Sequence, residues 1–103
     1  MRYIVEFSLR ASKHLDDLYR TIARDSGPAR ADAFVSSIVD YCLGFDMFPE
    51  RGTRRDDLSS GLRIVGFRRY ASIAFRVEAD RVVIFGVYYA GRNYEADFED
   101  PST

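Results

Sequence analysis

Gly27 and Pro28 fall between two apolar stripes of helical period and form a two-residue connector between two helices, which constrains the first half of the fold. Ala11, Leu15, Leu18, Tyr19 and Ile22 recur at intervals of three and four, which predicts an amphipathic helix over residues 9–25 with Ser8 as its N-cap. Ala31, Phe34, Val35, Ile38, Cys42 and Phe45 form a second stripe, closed by Pro49. Gly is favoured just past a helix end and Pro in a first helical turn, so the pair reads as a stop followed at once by a start. Two helices joined so tightly should pack as an antiparallel hairpin.

Elsewhere the period is two. Residues 2–8 alternate, with Tyr3, Val5 and Phe7 on one side, as suits a partly buried strand. The polar run 50–61 reads as a long connection with one helical turn near 56–60. Three β-rich runs follow, 62–67, 70–78 and 81–89, separated by Arg68 and Arg69 and by Ala79 and Asp80. Links this short make adjacent antiparallel hairpins the simplest topology. In the last run Val83, Phe85, Val87 and Tyr89 alternate with Val82, Ile84, Gly86 and Tyr88. Both faces are apolar, so this strand should be central, with the helices on one face and other chain covering part of the second. The expected fold is α+β, in the order β-α-α-β-β-β, with the helical hairpin packed on a mainly antiparallel four-stranded sheet. At 103 residues, 47% of them apolar, the chain fits one domain, with a polar, flexible tail from about residue 93.

The chemistry-bearing residues are few. Cys42 and His14 are the only cysteine and histidine, which leaves no zinc site of the usual kind, and no glycine loop of phosphate-binding form is present. No metal or cofactor is expected. Cys42 lies on an apolar stripe and reads as a small buried hydrophobe, and His14 as an exposed or hairpin-edge residue. The pairs Asp16 with Asp17 and Asp56 with Asp57 read as solvated acids, because neighbours on a helix do not face one another. The longest apolar stretches are strand-sized, so no membrane span is expected. The lone cysteine and the lack of a signal-like segment make a reducing cytoplasm the expected compartment.

Charge is distributed unevenly. Fourteen of the fifteen basic residues are Arg, and Lys13 is the single Lys. Positions 51–92 hold nine Arg against four acids, whereas the segment from residue 93 holds four acids and no base. Arg63, Arg68, Arg69, Tyr70, Arg76, Arg81, Tyr88, Tyr89, Arg92 and Tyr94 gather near the predicted strand ends. Arg with aromatic rings is the composition of a nucleic-acid or protein interface. It is equally that of a solvated sheet rim with Tyr rings packed on Arg stems.

The run Pro49, Glu50, Arg51, Gly52, then Arg55, Asp56, Asp57, Leu58 and Gly61, Leu62, Arg63 resembles the ParE branch of the RelE/ParE toxin superfamily. The likeness continues through Arg69, Tyr70, Phe75, Arg76 and Val77 to the closing Val87, Tyr88, Tyr89, Ala90, Gly91, Arg92, Asn93, and it takes in the β-α-α start. The resemblance implies a toxin of a bacterial toxin–antitoxin module, held inactive by a cognate antitoxin, with DNA gyrase as the target. It also implies two alternatives: a ribosome-dependent endoribonuclease acting on mRNA, or a degenerate toxin that retains antitoxin binding alone. Tyr89 and Asn93 stand where many members have His and Asp, and Phe98 falls near a late nuclease Tyr, so the nuclease set is incomplete. A nuclease here would use Arg68, Arg69, Arg92 and Tyr89. A binding toxin would present Arg63, Arg69, Arg76, Tyr89, Arg92 and Tyr94 to its target. The antitoxin would contact Leu15, Leu18, Tyr19, Phe34 and Ile38, side chains that also fit a core-facing stripe.

Overall fold

The computed structural model describes residues 2–89 and 91–98. Strand β1 (Ile4–Phe7) leads through Ser8 into α1 (Leu9–Ser26). The Ser8 hydroxyl accepts from the Ala11 backbone N–H at 3.1 Å and thereby caps the helix. Gly27, at φ 92, ends α1 and precedes α2 (Pro28–Leu43), with Pro28 in its first turn. A 3-10 turn, Gly44–Asp46, follows and carries the buried Phe45 that the sequence placed on the second helical stripe. The segment expected to be a plain connection contains a two-residue strand, β2 (Thr53–Arg54). It is followed by β3 (Leu62–Phe67), β4 (Ala71–Val77), β5 (Arg81–Tyr89) and the short helix α3 (Glu95–Phe98).

The sheet therefore has five strands, in the order β1-β5-β4-β3-β2, rather than four. The fifth is too short to leave a period in the sequence. It is held by pairing with β3, Thr53 opposite Ile64 and Arg54 opposite Arg63. β3, β4 and β5 run antiparallel, and β1 returns parallel to β5, Ile4 opposite Arg81. β5 is flanked on both sides.

One register shift reorganises β5. Ala74 pairs with Gly86 but Phe75 pairs with Ile84, so Phe85 is the extra residue of a bulge. Strict alternation is broken there. Val82, Ile84, Val87 and Tyr89 share the face that packs on the helices, while Phe85 and Tyr88 join a second cluster on the other face. The main core contains Ala11 and Leu18 of α1, Ile38 and Cys42 of α2, Phe45, and Ile73 and Phe75 of β4. Cys42 is fully buried, and desolvation pushes its thiol up to about 12. No helix among the described residues is long and apolar enough to cross a membrane.

The second face is covered too. Leu62, Ala74 and Tyr88 are buried there beneath Leu58, Tyr94 and Phe98. Where a polar tail is expected, residues 94–98 lie against the sheet: Phe98 meets the Phe85 ring edge-on at 6.2 Å, and the Tyr88 hydroxyl donates to Asp97 at 2.7 Å. Residues 99–103 of that expected tail, and Ala90 of the closing run, lie outside the described residues.

Candidate functional site

The β3–β4 link brings Arg68 and Arg69 to the tip of a hairpin. The Tyr70 backbone N–H donates to the Phe67 carbonyl at 3.0 Å, and Arg68 and Arg69 take φ values of 50 and 56. Left-handed backbone at both central positions is the mark of a type I′ turn, which favours Asn and Gly. For residues with a Cβ it costs about 1 kcal/mol or more at each position. Both arginines are exposed, and Arg68 lies 4.9 Å over the Phe67 ring. Beside them Tyr70 stacks almost parallel to Tyr89 at 6.3 Å, and Arg92 lies 4.6 Å over Tyr89. Tyr89 is only 3% exposed, and its hydroxyl has no hydrogen-bond partner among the described residues. Four residues of the expected set, Arg68, Arg69, Tyr89 and Arg92, thus meet at one end of the sheet.

The others lie elsewhere. Arg63 reaches back to the Arg51 carbonyl at 3.4 Å. Arg76 lies on the sheet face away from the helices, donating to the Ser59 hydroxyl with its guanidinium 5.1 Å over Phe85. The Tyr94 hydroxyl accepts from Arg55 at 3.0 Å. Arg55 also pairs with Asp57 and Glu95 and so ties the long connection to α3. The hydrogen bond to Asp57 holds the Arg55 guanidinium above its usual range, and the same bond depresses the Asp57 carboxyl. The six residues expected to face a target thus fall into two groups, Arg63, Arg76 and Tyr94 against the connection and α3, and Arg69, Tyr89 and Arg92 at the hairpin end.

His14 was expected at an exposed edge; instead its Nδ1 accepts from the Val87 backbone N–H at 3.0 Å, and its ring meets Tyr88 edge-on at 4.9 Å. The reason is topological. β1 stops at Phe7, after which the Ser8 N–H donates to Ile84 O and the Ser8 hydroxyl to Phe85 O. The next exposed β5 amide would be orphaned, and His14, two turns into α1, takes it. With Nδ1 spent as an acceptor, the neutral ring carries its proton on Nε2.

Burial lowers the His14 pKa, with Arg10 and Arg92 adding to the effect and Asp97 and Asp17 opposing it. A base depressed on folding binds protons more readily when unfolded. Stability from this contact is therefore complete above about pH 6.5 and is lost as pH falls through the folded value. Urea midpoints recorded from pH 8 to pH 5 should decline below about 6.5, and His14→Gln should flatten that decline. His14→Ala should cost about 1 to 3 kcal/mol, because Val87 N–H is left buried and unmet.

The Tyr88 hydroxyl is raised well above its ordinary range, first by burial and then by Asp97. Its proton is committed to a carboxylate. Among the described residues no group of three or more His, Cys, Asp or Glu is placed to hold a metal ion.

On the helical side the expected antitoxin contacts divide by burial. Leu18 and Ile38 are completely buried and present no surface, which removes them from that set as they stand: each sits under the sheet, facing its own core. Leu15, Tyr19 and Phe34 are half-buried. Phe34 meets Tyr70 edge-on at 5.1 Å and helps line a groove of about 260 Å³ with Ile22, Ser26 and Arg30.

The fold is shared with solved toxin structures. The chain matches a structure described as the chromosomal ParDE toxin–antitoxin system from P. aeruginosa, with a TM-score of 0.74 and 22% identity over 85% of this chain and 96% of that one. It also matches one described as the RelBE2 toxin–antitoxin complex from Mycobacterium tuberculosis, with a TM-score of 0.62 and 19% identity over 86% of this chain and 99% of that one. No curated protein sequence matches. The family model for the ParE toxin of the type II toxin–antitoxin system parDE matches residues 5–94, from β1 to Tyr94. The alignment takes in α1, α2 and the sheet from Val5 of β1 to the end of β5, and the chain belongs to the ParE toxin family.

Proposed function

We propose that this toxin acts by binding DNA gyrase and is neutralised by a cognate antitoxin lying over its helical hairpin. The observation that carries the reading is the state of the proton-transfer groups around Arg92. His14 has no lone pair to offer, Tyr88 donates its hydroxyl proton in a hydrogen bond to Asp97 and holds it above the ordinary range, and the Tyr89 hydroxyl is buried. RNA cleavage needs a positioned base and acid as well as positive charge. Arg68, Arg69 and Arg92 supply the charge alone. A surface of this kind works by favouring one state of its target over another.

For the antitoxin, the half-buried Leu15, Tyr19 and Phe34 and the groove beside Tyr70, which Arg30 also lines, suit an apolar and acidic segment. Both parts are open to direct measurement. Purified toxin should inhibit gyrase supercoiling or raise the level of gyrase–DNA cleavage complexes, and unchanged levels of both at a growth-inhibiting dose would refute the target. Cuts at codon-defined positions in cellular mRNA after induction would refute the non-nuclease reading. The product of the reading frame adjacent to its gene should co-purify with the toxin, and failure to do so would remove that product as the antitoxin.

A further inference from the structure

Large apolar side chains in water are concentrated just past the end of α2. Of the six that are exposed among the described residues, three are Leu43, Met47 and Phe48, and Phe48 is 71% exposed. The backbone holds them out, because the Asp46 carbonyl accepts from the Tyr3 N–H and the Phe48 carbonyl accepts from Arg51 Nε at 2.8 Å. Met47 and Phe48 line a groove of about 290 Å³ with Tyr3, Pro49 and Glu50. Its surroundings are acidic. Asp40 stands exposed in the last turn of α2, a turn without a base, and Asp46 and Glu50 follow it. The negative end of the helix dipole makes that a poor place for a carboxylate. None of the three acids has a cation within salt-bridge distance among the described residues, and the Arg51 guanidinium lies over the Tyr41 and Phe45 rings. An exposed aromatic anchor beside unmatched acids fits a partner that is apolar and basic, and it repels an acidic segment and nucleic acid alike.

We propose that this end of α2 docks on a second copy of the chain, in a two-fold pair whose α2 helices run antiparallel. The complement is present on the same molecule. Near the start of α2, about 24 Å away at the rise of a sixteen-residue helix, Arg30 and Phe34 line the groove that Tyr70 closes. Tyr70 is 41% exposed, and Arg30 has no carboxylate within salt-bridge distance among the described residues. Turning one molecule end for end against another brings each acidic, apolar end to the other's basic groove. Phe48 is then offered to the Phe34 and Tyr70 rings, and Asp40 to Arg30. Every contact occurs twice and the pair closes on itself. This goes beyond the gyrase and antitoxin readings and depends on neither, although the groove it fills is the one proposed above for the antitoxin.

The test is sedimentation velocity of the purified full-length toxin from about 1 to about 100 μM. The mass should rise from 11.8 kDa toward twice that value and fall back as salt is raised. Phe48→Glu should hold the protein at one copy without lowering its Tm, since that side chain already faces water. Asp40→Arg and Arg30→Asp should each weaken the pair by about tenfold or more. The two changes together should restore it, because the exchanged charges meet again across the two-fold axis, and a folding defect cannot produce that recovery. Wild-type toxin that stays at one copy throughout overturns the proposal and leaves the acidic end to a different basic protein. A mass that climbs beyond two copies overturns the closed pair, and a double variant as weak as the single ones overturns the antiparallel arrangement. Phe48 lies away from the antitoxin groove, so Phe48→Glu should bind the antitoxin at least as tightly as wild type does. Loss of that binding together with the pair would assign Phe48 to the antitoxin and overturn the proposal.

Discussion

Phe75→Ala should destabilise the domain by about 3 to 5 kcal/mol, a large share of the roughly 5 to 15 kcal/mol that a domain of this size has. Phe75 is fully buried in the middle of β4, with its ring tilted against Phe45 at 4.7 Å. Phe45 belongs to the 3-10 turn after α2, and the Arg51 guanidinium closes over it at 4.8 Å. Truncation would open a void between the sheet and that turn. The turn cannot simply collapse into it, because its Asp46 carbonyl accepts from the Tyr3 N–H at 2.8 Å. Urea unfolding followed by circular dichroism measures the loss. A change below about 1 kcal/mol would mean that the site relaxes far more than this packing allows. Phe45→Ala combined with Phe75→Ala should cost less than the two single changes added together, since the second truncation removes a partner already gone.

Gly86→Ala should be nearly as damaging for a different reason. The Tyr88 ring folds back across Gly86, so an added Cβ would meet the Tyr88 hydroxyl at 2.5 Å and the ring carbons at 2.6 and 2.7 Å. A single methyl group in that space forces the ring off the sheet. With it would go the Tyr88–Asp97 hydrogen bond and the seat of Tyr94, which meets Tyr88 at 6.1 Å. The expected cost is about 2 to 3 kcal/mol, combining overpacking with a lost hydrogen bond to a charged group. The effect should be local as well as global. Hydrogen exchange at residues 94–98 should accelerate more than exchange in α1 or α2. Equal acceleration everywhere would show that α3 does not depend on Tyr88.

The helical hairpin was legible because its signals are local: two stripes of one period, a side-chain cap at Ser8 and a Gly–Pro boundary. The sheet was legible in outline and not in register. Alternation in β5 pointed to two apolar faces, but the bulge at Phe85 exchanges which residues share them, and Gly86 alone was too weak a signal to place it. That exchange hid His14 as well, since the Val87 amide is orphaned only once β1 has ended beside Ile84. β2 has too few residues to show a period, and α3 is held by tertiary contacts of Phe98, Tyr94 and Asp97 that charge composition conceals. For the candidate site, composition identified the Arg and Tyr set without dividing it. Arg76 and Arg92 look alike in the sequence, yet one lies under α3 and the other caps the hairpin end.

The parallel pairing of β1 with β5 has a consequence for how the molecule comes into being. Ser8 meets Phe85 across 77 residues of chain, and among the described residues β1 has no other strand beside it. Contacts this distant in sequence are slow to form, because the intervening loop must close before the pairing rewards it. During synthesis α1 and α2 can zip together early, whereas the first strand must wait, unpaired, until β5 has left the ribosome. The helical hairpin thus comes first and the first strand docks last, and a chain cut short before β5 leaves β1 with no place to dock.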